Sequence, residues 1–126
     1  MTTPKWSVLI AEDHDDVRRL MKVRLEEKGY QVMEARNGLE AVELAPLHNP
    51  DLILMDLRMP VLDGFEATRR LRQIPATTSI PIVGFSSLCD GWHEEALAAG
   101  CDDCILKPVD DKELTEILER FLSPPS

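Results

Sequence analysis

Leu52-Ile53-Leu54-Met55-Asp56 decides how this chain folds: four apolar residues in a row that stop at a carboxylate. A short uninterrupted apolar run reads as a strand buried on both faces, as in a parallel sheet covered by helices. A second run of the same kind, Val8-Leu9-Ile10-Ala11, stops at the pair Glu12-Asp13. Open parallel sheets bind their ligands beyond the carboxyl ends of their strands, so Glu12, Asp13 and Asp56 all fall where such a sheet does its chemistry.

Outward from these runs the chain alternates apolar stretches with segments of helical period, in the order βαβαβαβαβα. Strands are predicted at 7–11, 31–35, 52–55, 82–85 and 104–106, with helices at about 16–28, 38–45, 64–73 and 91–99 and a fifth carrying Leu114, Ile117, Leu118, Phe121 and Leu122 at i, i+3, i+4, i+7, i+8. The first helix presents Val17, Leu20, Met21 and Leu25 on one face and stops at Gly29, while Asn37-Gly38, Pro46, Asn49-Pro50, Pro75, Pro81 and Gly100 punctuate the joins. Strict alternation predicts a doubly wound α/β sheet with helices on both faces.

A length of 126 residues and 44% apolar composition suit one domain with a single real core, here about 7–122 followed by the short Pro/Ser tail 123–126. The balance of 14 Lys and Arg against 23 Asp and Glu leaves a net charge of -9, which repels a phosphate backbone and excludes direct nucleic-acid binding. No apolar stretch approaches the ~20 residues of a membrane span, and the start has no signal-peptide pattern, so a cytoplasmic protein without membrane insertion is expected. Three cysteines argue against a disulfide framework. Cys101 and Cys104 form a single C-x-x-C without a nearby downstream His, which reads as Cys104 in the core and Cys101 in a turn.

The acidic trio poses a charge problem. Two carboxylates 4 Å apart repel by about 4 kcal/mol at an effective dielectric of about 20, so three in one pocket call for protonation or a cation. Mg²⁺ answers this simply, since it takes one or two carboxylates and leaves positions for water and a phosphate oxygen. A carboxylate beside such an ion can act as a nucleophile toward phosphorus, with a nearby cation neutralising the transferred group. The fifth strand supplies Lys107 before Pro108, and the fourth ends in the hydroxyls Ser86-Ser87.

Glu12-Asp13, Asp56-Leu57-Arg58-Met59-Pro60 with Asp63-Gly64, Pro81 to Ser86, and Ala99-Gly100-Cys101-Asp102-Asp103 leading to Lys107-Pro108 together resemble the receiver domain of two-component response regulators, of the single-domain kind seen in chemotaxis regulators. The resemblance covers about residues 7–122 and implies the flavodoxin-like strand order 2-1-3-4-5, which makes the first and third strands neighbours. It implies that Asp56 accepts a phosphoryl group from the phosphohistidine of a sensor histidine kinase or a histidine phosphotransfer protein. It further implies Mg²⁺ held by Asp13 and Asp56 directly, by Glu12 through water and by the backbone carbonyl of Arg58. Lys107 is then the lysine that pairs with the phosphoryl oxygens, across a cis bond to Pro108, and Ser86 the hydroxyl that moves toward the phosphoryl group. Such a module is no enzyme in the ordinary sense: it catalyses only its own phosphorylation and hydrolysis. With no output segment after the fifth helix, its signal is expected to reach a downstream protein partner through the face of helix 4, strand 5 and helix 5.

Other residues read more plainly. Asp63 is expected to cap the third helix, His14 to be a solvated loop residue, and His48 and His93 carry no signal. Trp6 is expected to pack at the amino end of the sheet; Trp92 reads equally as an interface anchor or as a partly buried residue. Cys104 stands three residues before Lys107, where receiver domains usually place an aromatic whose inward swing accompanies the hydroxyl's movement. This leaves two readings open, a phosphorylation-driven but partial switch and an interaction scaffold whose binding is independent of phosphate. An aspartyl-phosphate phosphatase of the haloacid dehalogenase type is disfavoured, because Arg58 stands where that family has its second Asp.

Overall fold

A computed structural model describes residues 6–87 and 92–122, without the side chain of Trp92. The alternation resolves into β1 (Ser7–Ala11), α1 (Asp15–Glu27), β2 (Gln31–Ala35), α2 (Gly38–His48), β3 (Leu52–Asp56), α3 (Gly64–Gln73), β4 (Ile82–Ser86), α4 (Trp92–Ala99), β5 (Asp103–Leu106) and α5 (Asp111–Leu122). The strands pair in parallel in the order β2-β1-β3-β4-β5. Expected readings for the tail 123–126 and for the Trp92 side chain lie outside the described residues.

Because strand side chains alternate with period two, each buried strand feeds both faces of the sheet. Leu9, Ala11, Ile53 and Met55 join one core with Ala41 and Ala45 of α2, Ala67 and Leu71 of α3, and Ala96 of α4. Val8, Ile10, Leu52 and Leu54 join the other, with Met21 and Leu25 of α1 and Leu114, Ile117, Leu118 and Leu122 of α5. All five residues of β3 are buried, which is why its sequence shows no polar alternation.

Local chemistry sets the helix ends. Asn37 and Asp63 cap α2 and α3, their side chains accepting from the N–H of Glu40 and Glu66 at 2.8 and 2.9 Å. Three expectations need correction. First, α2 continues through Pro46 to His48, because a proline in the last turn forfeits one hydrogen bond while Asn49, at φ 47°, closes the helix with its N–H on the carbonyl of Ala45. Second, the predicted inner face of α1 is split. Met21 and Leu25 are buried, but Val17 and Leu20 are exposed, at 42% and 59%, and Arg18 turns inward instead. Third, Cys101 stands in the connection between α4 and β5 as expected but is buried in the core, its Sγ 3.8 Å from the Thr68 hydroxyl, while Cys104 on the edge strand β5 packs against that core only half-buried. Trp6 is partly exposed where its carbonyl accepts from the N–H of Gln31, at the amino end of the sheet.

Candidate functional site: an acidic pocket at the carboxyl ends of the strands

The register determines what meets at the switch point. Ala11 pairs with Met55, so Glu12 and Asp13 emerge beside Asp56; Asp56 in turn pairs with Phe85, and Ser86 with Leu106. The order β1-β3-β4-β5 therefore delivers the acidic pair, Asp56, Ser86 and Lys107 to one rim. Lys107 begins the turn after β5, its N–H donating to the carbonyl of Ser86 at 2.7 Å, and its bond to Pro108 is cis.

Lys107 holds the two buried acids together. Its Nζ donates to Glu12 Oε1 at 2.7 Å and to Asp56 Oδ2 at 3.1 Å. Glu12 Oε2 accepts from the backbone N–H of His14 at 3.1 Å, and its ring Nδ1 lies equally close. Asp56 Oδ1 accepts from the N–H of Arg58 at 3.1 Å. Glu12 and Asp56 are only 2% and 3% exposed, so their charges depend on these partners rather than on water.

The two acids respond oppositely to the pocket. Burial pushes the Glu12 carboxyl up, but its bonds to Lys107 and Asp56 and the His14 N–H more than offset this, and it falls to about 2. Burial and the bond to Glu12 push Asp56 up to about 6, against the Arg58 N–H and the Lys107 charge. The shorter contact of Lys107 with Glu12 explains the direction: any proton the pair holds sits on Asp56. Burial works against the ammonium of Lys107, yet its bond to Glu12 and the charge of Asp56 hold it above its ordinary value.

Asp13 completes the pocket. Its Oδ1 is buried without a hydrogen-bond partner among the described residues, and Glu12, Asp13, His14 and Asp56 each offer one donor atom within 4.8 Å of all the others. An orphaned carboxylate oxygen among converging oxygen donors is the arrangement a hard divalent cation satisfies. The residues fit such an ion.

A search against family models matches the response regulator receiver domain over residues 8–119. The chain is a response regulator receiver domain. It is 35% identical over 117 residues to the polar-differentiation response regulator DivK of Brucella anthropi, covering 92% of this chain and 95% of that protein. Among solved structures it resembles the receiver domain of a sensor histidine kinase from Pseudomonas aeruginosa, at TM-score 0.89 and 34% identity over 96% of this chain and all of that one. That structure carries a magnesium ion in its active-site cleft. A second resembles a Saccharomyces cerevisiae receiver domain solved with a histidine phosphotransfer protein, at TM-score 0.85 and 28% identity, covering 96% and 91% of the two chains. As a receiver domain the chain is a phosphoacceptor signalling module, and the pocket of Glu12, Asp13, Asp56 and Lys107 is its acidic site.

The role of Arg18 in this receiver is not visible in the order of its residues, and Gly64 stands in the sequence motif without its structural reason. Arg18 is 7% exposed and donates to the carbonyl of Glu12 at 2.9 Å and to Glu34 at 3.2 Å while pairing with Asp15, which fixes the backbone under the acidic pair. The only sequence trace was Asp15 three residues ahead of it, a common surface pattern. At Gly64 a Cβ would come within 2.3 Å of the carbonyl oxygen of Asp56, so α3 can begin against the end of β3 only with glycine.

Proposed function

We propose that Asp56 is the phosphoacceptor of this receiver, with Lys107 and Ser86 as its catalytic partners and Mg²⁺ held by Asp13, Asp56, the carbonyl of Arg58 and, through water, Glu12. The observation that carries the reading is Lys107 Nζ lying 3.1 Å from Asp56 Oδ2 beside an Asp13 oxygen that has no hydrogen bond among the described residues. The ionised Asp56 attacks the phosphorus of a donor phosphohistidine, the P–N bond breaks, and the electron pair leaves with the imidazole. Bound Mg²⁺ supplies charge neutralisation for the transferred phosphoryl oxygens. Lys107 shifts from its two carboxylates toward the same oxygens, and Ser86, buried at the end of β4, offers its hydroxyl to them.

The donor reaches this site from the side of α1. A groove of about 410 Å³ runs from Lys107 across Pro108, Val109 and Ser87 to Val17 and Leu20. Its apolar walls and its shared lysine suit a helix that carries the donor histidine, on a sensor kinase or a phosphotransfer protein. The reading places the module in the cytoplasm as one domain, without contact to nucleic acid, and sends its signal to a protein partner through α4, β5 and α5. Leu97 and Leu106, 43% and 45% exposed, provide apolar contact on that face.

A second reading is favoured by Cys104. A half-buried thiol cannot reproduce the volume or swing of an aromatic ring, so partner binding that changes little with phosphate is the alternative. Incubation with acetyl phosphate and Mg²⁺ tests the first reading: wild-type protein gains the mass of one phosphoryl group and Asp56→Asn does not. Equal gain in both would refute it, and partner affinity that is equal for phosphorylated protein and Asp56→Asn would establish the scaffold.

A further inference from the structure

His14 was the residue of the pocket with the least to do, and its geometry gives it a role. Its backbone is pinned on both sides: the N–H donates to Glu12 Oε2 at 3.1 Å, and the carbonyl accepts from the N–H of Arg18 at 2.9 Å as α1 begins. The ring is therefore presented over the pocket although 70% of the side chain is open to solvent. Nδ1 is its inward atom, 3.1 Å from Glu12 Oε2 and 3.4 Å from Asp13 Oδ1.

We propose that the His14 Nδ1 atom is a ligand of the divalent cation in this pocket, which biases the site toward borderline metals such as Mn²⁺ and Co²⁺ relative to Mg²⁺. The inference rests on the metal site proposed above and deepens it. An octahedral ion with bonds of about 2.1 Å places adjacent donors about 3 Å apart and opposite donors about 4.2 Å apart. The 3.4 Å between Nδ1 and the orphaned Asp13 Oδ1 suits an adjacent pair, and the 4.8 Å envelope of all four donors is close to the full span. Glu12 is the poorest ligand of the four, because Lys107 already occupies Oε1 and the His14 N–H already occupies Oε2. A ring that merely bonds Glu12 at 3.1 Å approaches Asp13 Oδ1 only to 3.4 Å and leaves that oxygen without a hydrogen bond among the described residues.

Imidazole nitrogen changes which ions the pocket prefers. Mg²⁺ favours oxygen and keeps its waters, whereas affinity for nitrogen rises from Mn²⁺ to Co²⁺ and beyond. A pocket made only of carboxylates and carbonyls lacks that gradient.

The test uses the full chain at about pH 8, above the ordinary imidazole value of ~6.5. Mg²⁺, Mn²⁺ and Co²⁺ are titrated calorimetrically into wild type, His14→Ala and His14→Gln, and pulsed EPR is recorded on the Mn²⁺ forms. Both variants should fold, since the replaced ring is mostly exposed. The proposal predicts that Co²⁺ and Mn²⁺ bind about tenfold or more weakly to both variants, that Mg²⁺ affinity changes less than about twofold, and that nitrogen hyperfine coupling on bound Mn²⁺ disappears. Mn²⁺ that binds wild type without nitrogen coupling, or variants with an unchanged Mn²⁺ to Mg²⁺ preference, would overturn the role of His14 and leave the metal site standing. Wild type that binds none of the three ions would overturn the metal site and this inference together.

Discussion

Burial beside Glu12 pushes the Asp56 carboxyl above the ordinary carboxylate range. An unfolded aspartate ionises near ~3.9, whereas this one, buried beside Glu12, ionises at about 6. A carboxyl raised in this way contributes stability that is complete below the unfolded value and is lost as pH rises through about 6. Glu12 behaves inversely, its contribution present above 4.5 and lost only as pH falls toward about 2. In chelator, Asp56→Asn should therefore be more stable than wild type at neutral pH by about 1–3 kcal/mol, with the gap closing as pH falls toward 4. Thermal melts across that range check it, and a gap independent of pH would show that Asp56 carries no such penalty. Gly64 gives a second prediction at this scale. Gly64→Ala forces a methyl group onto the Asp56 carbonyl, so urea titration should show a loss of about 1–3 kcal/mol or more, together with slower phosphorylation.

Helices α1 and α5 share a face of the sheet but are buried to different depths. Leu118 of α5 is 2% exposed and packs in the core with Ile10 and Phe85, so Leu118→Ala should cost about 2–5 kcal/mol in denaturant unfolding. Leu20 of α1 is 59% exposed and should cost no more than ~0.5 kcal/mol when truncated. If α1 instead serves donor docking, Leu20→Ala slows transfer from a phosphorylated kinase while leaving acetyl phosphate labelling intact. The comparison also shows where sequence reading stops. The i, i+3, i+4 rule identified both helices, yet it cannot distinguish an apolar stripe that fills a core from one that lines a groove. The rule therefore places Val17 and Leu20 inward and carries no signal for Arg18. Pro46 misled for a related reason: a proline breaks a helix interior but is tolerated in a last turn, and only the Asn49 cap distinguishes the two.

At the scale of the molecule, the strand order does the chemical work. Runs that stop at carboxylates located Glu12, Asp13 and Asp56 from the sequence, because buried parallel strands leave so little freedom over where a charge can stand. Lys107 and Ser86 were legible as strand ends, but their meeting with the acids depends on β1, β3, β4 and β5 lying side by side, which periodicity alone does not select. The role of Arg18 and the orphaned oxygen of Asp13 depend on side-chain positions that sequence pattern does not encode. A pocket that concentrates negative charge should be stabilised by the ion that neutralises it. At Mg²⁺ a hundredfold above its dissociation constant the gain is about 2.7 kcal/mol, and Asp13→Asn should lose most of it in the same melts. The most direct measurement is peptide-level mass spectrometry after acetyl phosphate, Mg²⁺ and borohydride reduction, which converts an aspartyl phosphate to homoserine. Homoserine at position 56, and at no other aspartate, is the predicted result; an unmodified Asp56 in protein that has gained a phosphoryl group would contradict the account.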